Sequence, residues 1–231
     1  MESVKRITLL KFYIKSIACN DWTHGRKTPI SQGTVYAMFD TQNLHGEGQS
    51  VDVSCLGKYL RKSYEKNFET SLEVVKDIEL AEKMAKELTK KDLESGIQTI
   101  QYQINTLSTA NGQTPFVTLF LHIDDEDEYK DEVAKIIYEI LKQRIVGIKN
   151  SKGVYTTPTF PKLVYVLDEN NIHKDSEYYY VTQKAIECTS KRFYPDYISA
   201  KVMREHYEGN VFSPMGKEKA VAHLKPLELF A

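Results

Sequence analysis

One run holds the best side chains for gripping a polar ligand: Tyr102 to Leu121, YQINTLSTANGQTPFVTLFL. Its first part is small and polar, with Asn105, Thr106, Ser108, Thr109, Asn111, Gly112 and Gln113. From Thr114 it turns apolar, β-branched or aromatic, with Pro115 at the entry. An apolar run of this length after Gly and Pro predicts a strand buried on both faces, as in α/β sheets and barrels. A polar, Gly-containing segment leading into such a strand is a place for a ligand site. The same residues equally describe a solvated loop that satisfies its own backbone through Asn and Thr side chains. A second cluster, His122 to Tyr129 (HIDDEDEY), has metal-ligand residue types. It lies just before the apolar positions Val133, Ile136, Ile137, Ile140 and Leu141 of an amphipathic helix, where acids complement the helix N-terminal dipole. Helix capping is the reading preferred for these acids. His173 reads as a surface residue, and Cys188, on the apolar face of a helix, as a small core hydrophobe.

The totals set the frame for these candidates. At 231 residues the chain is long enough for a full core, in one domain or one plus a small appendage. With 31 basic and 32 acidic residues, bulk charge gives no reason to expect nucleic acid or an anionic membrane. No stretch approaches the roughly 18 apolar residues of a membrane span. The N-terminus carries Lys11 and Lys15 within its apolar residues and no small-residue cleavage site, unlike a signal peptide. Cys19, Cys55 and Cys188 are widely spaced and odd in number, which fits reduced thiols in a cytoplasm and not a metal knuckle.

Stepping along the chain, residues 1–20 have helical spacing, 21–33 form a connection, and 34–40 are ambiguous between strand and helix. From about Leu56 to Ser95 apolar residues recur at threes and fours among many Lys and Glu, predicting long charged outer helices with a break near Glu69–Thr70. Another helix is expected over Lys91–Asn105, then the strand Phe116–Leu121, then the helix over 130–146 ended by Gly147. Lys162–Asp168 (KLVYVLD) is a second buried strand, and a helix follows over Glu177–Arg192. Strand, helix, strand, helix at this spacing implies parallel strands with right-handed crossovers.

Three segments carry a resemblance. Tyr102–Phe120, then Arg144–Gly147 with Phe160–Val166 (RIVG and FPKLVYV), then Lys184–Asp196 (KAIECTSKRFYPD) resemble the large, glycyl-radical subunit of anaerobic (class III) ribonucleoside-triphosphate reductase. Weaker similarity extends from Gly33 to Pro214-Met215-Gly216, and the strongest lies within 99–197. The resemblance implies an α/β fold: part of a ten-stranded α/β barrel with long outer helices, filling residues 1–216 and followed by an unrelated tail, 217–231. It implies an oxidoreductase that makes deoxyribonucleotides for DNA replication from ribonucleoside triphosphates. In the family a glycyl radical, installed by a radical S-adenosylmethionine activase, passes to a barrel cysteine. Formate supplies electrons, and nucleotides act as effectors. The barrel keeps water away from the radical.

The departures are as informative. The family's radical cysteine follows Pro-Met-Gly, where this chain has Lys217, and an ammonium has no hydrogen chemistry comparable to a thiol. Neither Cys19 nor Cys55 sits in a matching context, so no catalytic residue carries over and no cofactor is expected in the chain itself. What the resemblance leaves is the polar turn: Asn105, Asn111 and Gln113 become candidate substrate-binding residues, because side-chain amides both donate to and accept from a nucleotide. The expectation is a central piece of the reductase, inactive alone. The alternative is a non-catalytic nucleotide-binding or assembly module that joins an intact or complementary reductase subunit. In neither case is a metal, a nucleic acid or a membrane expected.

Overall fold

The computed structural model describes residues 49–106, 117–149 and 152–213. It opens on β1 (Gln49–Asp52), a single 3-10 turn (Val53–Leu56), then the helices α1 (Gly57–Val75) and α2 (Ile78–Thr106). β2 (Val117–Leu121) and α3 (Lys130–Val146) follow, then a hairpin of β3 (Ile148–Lys149) and β4 (Tyr155–Thr156). The chain continues through β5 (Lys162–Leu167), α4 (Glu169–Ile172), α5 (Tyr179–Arg192), β6 (Asp196–Ser199) and α6 (Ala200–His206). The two apolar segments singled out in the sequence are adjacent parallel strands, with Leu119 opposite Leu163 and Leu121 opposite Tyr165.

The main sheet has four parallel strands in the order β1-β2-β5-β6, so the architecture is mixed α/β with a small parallel sheet. It is an open sheet; among the described residues no closed barrel forms. Alternation along each strand sends successive side chains to opposite faces. On one face Leu119, Leu121, Leu163 and Tyr165 join a large core with Leu60 of α1, Leu93, Ile97, Ile100 and Ile104 of α2, Ile136, Ile137 and Leu141 of α3, and Val181, Ala185 and Cys188 of α5. On the opposite face, among the described residues, Phe120, Val164 and Val166 form a smaller apolar cluster with Ala200 of α6, with Ile198 and Val211 alongside. The long helices of the described residues therefore all lie on one side.

The break between the outer helices differs from the sequence expectation. It falls at Lys76–Asp77, not near Glu69–Thr70. Thr70 sits mid-helix with its hydroxyl donating back to the Lys66 carbonyl at 2.9 Å, and Ser71 is buried. Lys76 ends α1 in a left-handed conformation (φ 54°), and the Asp77 carboxylate caps α2 by accepting the Leu80 N–H at 2.7 Å. The helix expected over Lys91–Asn105 is the second half of α2, continuous from Ile78. Buried polar groups tie the pair: Asn67 Nδ2 donates to Asp92 Oδ2 at 2.9 Å and to Thr89 Oγ1 at 3.0 Å. Gly147 ends α3 as expected, at φ 85°, where a Cβ would stand 2.5 Å from the Thr156 carbonyl oxygen.

Candidate functional site

In open parallel sheets ligands bind beyond the carboxyl ends of the strands. At that end, β2 leads directly into His122 and β5 into Asp168. By strand parity His122 continues the face of Phe120, and Asp168 that of Val164 and Val166, so both belong to the side away from the long helices. Both are buried, His122 at 6% and Asp168 at 7% exposure. His122 Nε2 lies 3.4 Å from Asp168 Oδ2. Arg204, in the last turn of α6, forks onto the same carboxylate, Nη1 donating to Oδ1 at 2.8 Å and Nη2 to Oδ2 at 2.6 Å.

Asp168 is held from its own side as well. It caps α4, with the Glu169 N–H donating to Oδ1 at 2.9 Å, while its own N–H donates to the Asn171 side chain at 3.1 Å. Burial works to push the Asp168 carboxyl up, but the Arg204 fork, the Glu169 N–H and His122 together hold it below its ordinary range. The same fork raises the Arg204 guanidinium. An ionised carboxylate already occupied by an arginine braces its surroundings; it does not serve as a general acid.

The acidic run after His122 is accounted for by backbone. The Asp124 carboxylate accepts the Glu126 N–H at 3.1 Å and that of Asp127 accepts the Tyr129 N–H at 2.8 Å, while Asp131 and Glu132 fill the first turn of α3. Asp125 accepts from Asn170 Nδ2 at 3.1 Å, which ties this loop to the end of β5. His173 is exposed beside Glu169, as its sequence context suggested. The Cys188 thiol is fully buried and pushed up to about 11 by that burial, the state of a core residue and not of a nucleophile. The half-buried Cys55 donates its thiol to the Asp52 carbonyl at 2.9 Å.

Of the polar-turn candidates, Asn105 is placed at the end of α2. Its Nδ2 donates to the Gln101 carbonyl at 2.7 Å and to the Phe160 carbonyl at 2.9 Å. That location is beside the amino end of β5, opposite the His122–Asp168 end. Asn111, Gln113, Lys217 and Cys19 lie outside the described residues. The structure thus does not bring Asn105 to the His122–Asp168–Arg204 group. Sequence reading missed that group. Asp168 had a detectable signal, an acid directly after an apolar strand and three before an Asn; Arg204 had none, because its partner is 36 residues away.

A second buried group organises the amino end. Arg144, 1% exposed, donates from Nη1 to the Pro158 carbonyl at 2.7 Å and from Nη2 to the Pro161 carbonyl. Its guanidinium lies 5.2 Å from the centre of the Tyr194 ring, and burial lowers it to about 10. Arg192 caps α3 by donating to the Ile145 carbonyl at 2.8 and 2.6 Å. Arg144, Phe160–Val166 and Arg192 all fall within the segments that carry the resemblance, so the described parts of those segments form one packed unit.

Known proteins match this same unit. A family model for anaerobic ribonucleoside-triphosphate reductase matches residues 28–221, most of the chain. The chain belongs to the anaerobic ribonucleoside-triphosphate reductase family. It is 39% identical over 164 residues to the anaerobic ribonucleoside-triphosphate reductase of Enterobacteria phage T4, covering 70% of this chain and 26% of the relative. It is 38% identical over 165 residues to that of Haemophilus influenzae, covering 70% of this chain and 22% of the relative. To that of Escherichia coli it is 37% identical over 164 residues, covering 70% of this chain and 21% of the relative. The chain thus spans about a quarter or less of the length of these reductases.

Proposed function

We propose that this chain forms part of the barrel wall of an anaerobic reductase and takes part in reducing ribonucleoside triphosphates to deoxyribonucleotides. One observation carries the reading: four parallel strands in the order β1-β2-β5-β6, with every long helix of the described residues on a single face. A doubly wound sheet reverses strand order and covers both faces with helices. A sheet that advances in one direction with its crossovers on one side curls into a barrel, its bare face inward. Among the described residues the face without long helices carries Phe120, Val164 and Val166, and at its carboxyl end His122 and Asp168.

The radical step itself falls to groups other than the described thiols. Cys188 is sealed in the helix layer, Cys55 is engaged with Asp52, and Lys217 stands after Pro214-Met215-Gly216. A glycyl radical, formate and the activating enzyme belong on this reading to the assembled reductase, in a cytoplasmic setting. Asn111 and Gln113 are proposed to meet the nucleotide from the segment that leads into β2, while Asn105, engaged with the Gln101 and Phe160 carbonyls, braces its base. Titration calorimetry with ribonucleoside triphosphates, alone and with an intact family subunit, tests the proposal. Heat of binding by the chain alone, or heat beyond that of the intact subunit measured without it, supports it. No heat from the folded chain alone and none beyond that of the intact subunit counts against it.

A second reading, an assembly module on an intact reductase, is favoured by one surface. The turn of the α1–α2 hairpin exposes Val74, Ile78 and Leu80 at 71%, 65% and 47%. Co-elution with an intact subunit, abolished by Ile78→Asp, distinguishes it from the first.

A further inference from the structure

We infer that Arg204 and Asp168 form a latch that positions the turn 207–213 on the bare face of the sheet, and so sets where the chain enters Pro214-Met215-Gly216. The value of that entry point to the chemistry rests on the reductase reading above; the latch itself rests on geometry alone.

The two halves of the latch differ in character. Asp168 is the fixed half. It ends a central strand, caps α4, and is backed by Asn171, whose side chain is fully buried and donates to the Val166 carbonyl at 3.0 Å. His122 flanks the oxygen that also receives Arg204 Nη2. Arg204 is the movable half. Its side chain is 41% exposed against 6% for Asp168, so the fork is open to solvent on the arginine side. It stands on α6, a helix of 7 residues, too short to persist without tertiary anchors.

Arg204 also governs the turn that follows. Its carbonyl accepts the Gly209 N–H at 2.9 Å, closing a turn in which Glu208 (φ 54°) and Gly209 (φ 84°) are both left-handed. A left-handed glutamate is unfavourable by itself and persists where its surroundings enforce it. Beyond the turn, Val211 packs on the cluster of Phe120, Val164 and Val166. Phe212 meets the Tyr207 ring edge-on at 5.0 Å, and Phe212 and Ser213 are each 8% exposed. One side chain and one carbonyl of Arg204 therefore connect the end of β5 to the last buried residues before Pro214. Arg204 and Asp168 are positioning residues on this account, and neither touches a reacting atom.

Hydrogen exchange read by mass spectrometry on the full chain tests the latch. In Arg204→Gln, amides of 200–213 exchange roughly tenfold faster, while those of α3 and α5 keep wild-type rates. Asp168→Asn gives the same local pattern. Arg204→Lys falls between, because lysine keeps the charge and loses the two-pronged geometry. Unchanged exchange over 200–213 in Arg204→Gln, or equal acceleration everywhere, overturns the latch. Should Arg204→Gln not fold, Arg204→Lys decides by the same criterion: local acceleration supports, none or uniform acceleration refutes. Local acceleration in Arg204→Gln together with no nucleotide binding by the folded wild-type chain supports the latch and overturns the reductase reading alone.

Discussion

Arg144 places a full positive charge at 1% exposure against two carbonyls and an aromatic ring, with no carboxylate within salt-bridge range among the described residues. Removing it takes a donor from the Pro158 and Pro161 carbonyls and opens a large void. Arg144→Ala is expected to lower stability by about 3 kcal/mol in urea unfolding. A loss under about 1 kcal/mol would show that water replaces the guanidinium there. Asp168 makes a pH prediction of definite sign. Its folded-state pKa is depressed, so its contribution is present above the unfolded value of about 3.9 and is lost as pH falls through the folded value. The stability gap between wild type and Asp168→Asn should therefore narrow below pH of about 4; a gap that stays constant into acid contradicts the assignment. For Cys188, a thiol pushed up to about 11 and fully buried predicts alkylation only on unfolding, and rapid labelling of native protein would refute this.

At the scale of elements, the decisive features are where helices stop. Lys76 occupies a left-handed position that glycine adopts freely. Lys76→Gly is expected to raise stability by roughly 0.5 kcal/mol, read from the denaturant midpoint; a loss would mean that the Lys76 side chain contributes more than its strain costs. Gly147 is the opposite case, with a left-handed φ and a carbonyl oxygen where a Cβ would go. Helix periodicity told that 56–95 is helical and that 130–146 ends at glycine. It misplaced the α1–α2 break because Thr70 and Ser71 are good caps in isolation, while a buried Ser71 on the inner face of α1 keeps that turn helical. Asp77, the cap actually used, carries the same signal six or seven residues later.

At the scale of the whole molecule, the long described helices lie on one face of the parallel sheet, and among the described residues α6 and Val211 cover only part of the other. Among the described residues β1 and β6 each pair on one side only. Such edges and an apolar face favour association. The isolated chain is expected to be oligomeric or poorly soluble in sedimentation experiments, and a sharp monomer boundary with a cooperative melt would contradict this. No helix of the described residues is long and apolar enough to cross a membrane.

By itself the sequence determined the family, the two buried strands, their parallel pairing and the helical segments between them. These follow from local periodicity and from long ordered runs such as FPKLVYV, which act over a few neighbouring residues. Tertiary structure alone decided that the long described helices share one face while α6 lies on the other, that Asn105 braces the loop before β5, and that His122, Asp168 and Arg204 meet at the other end of the strands. Contacts across 36 or 46 residues leave no local pattern, because only the folded sheet and its crossovers set their distance.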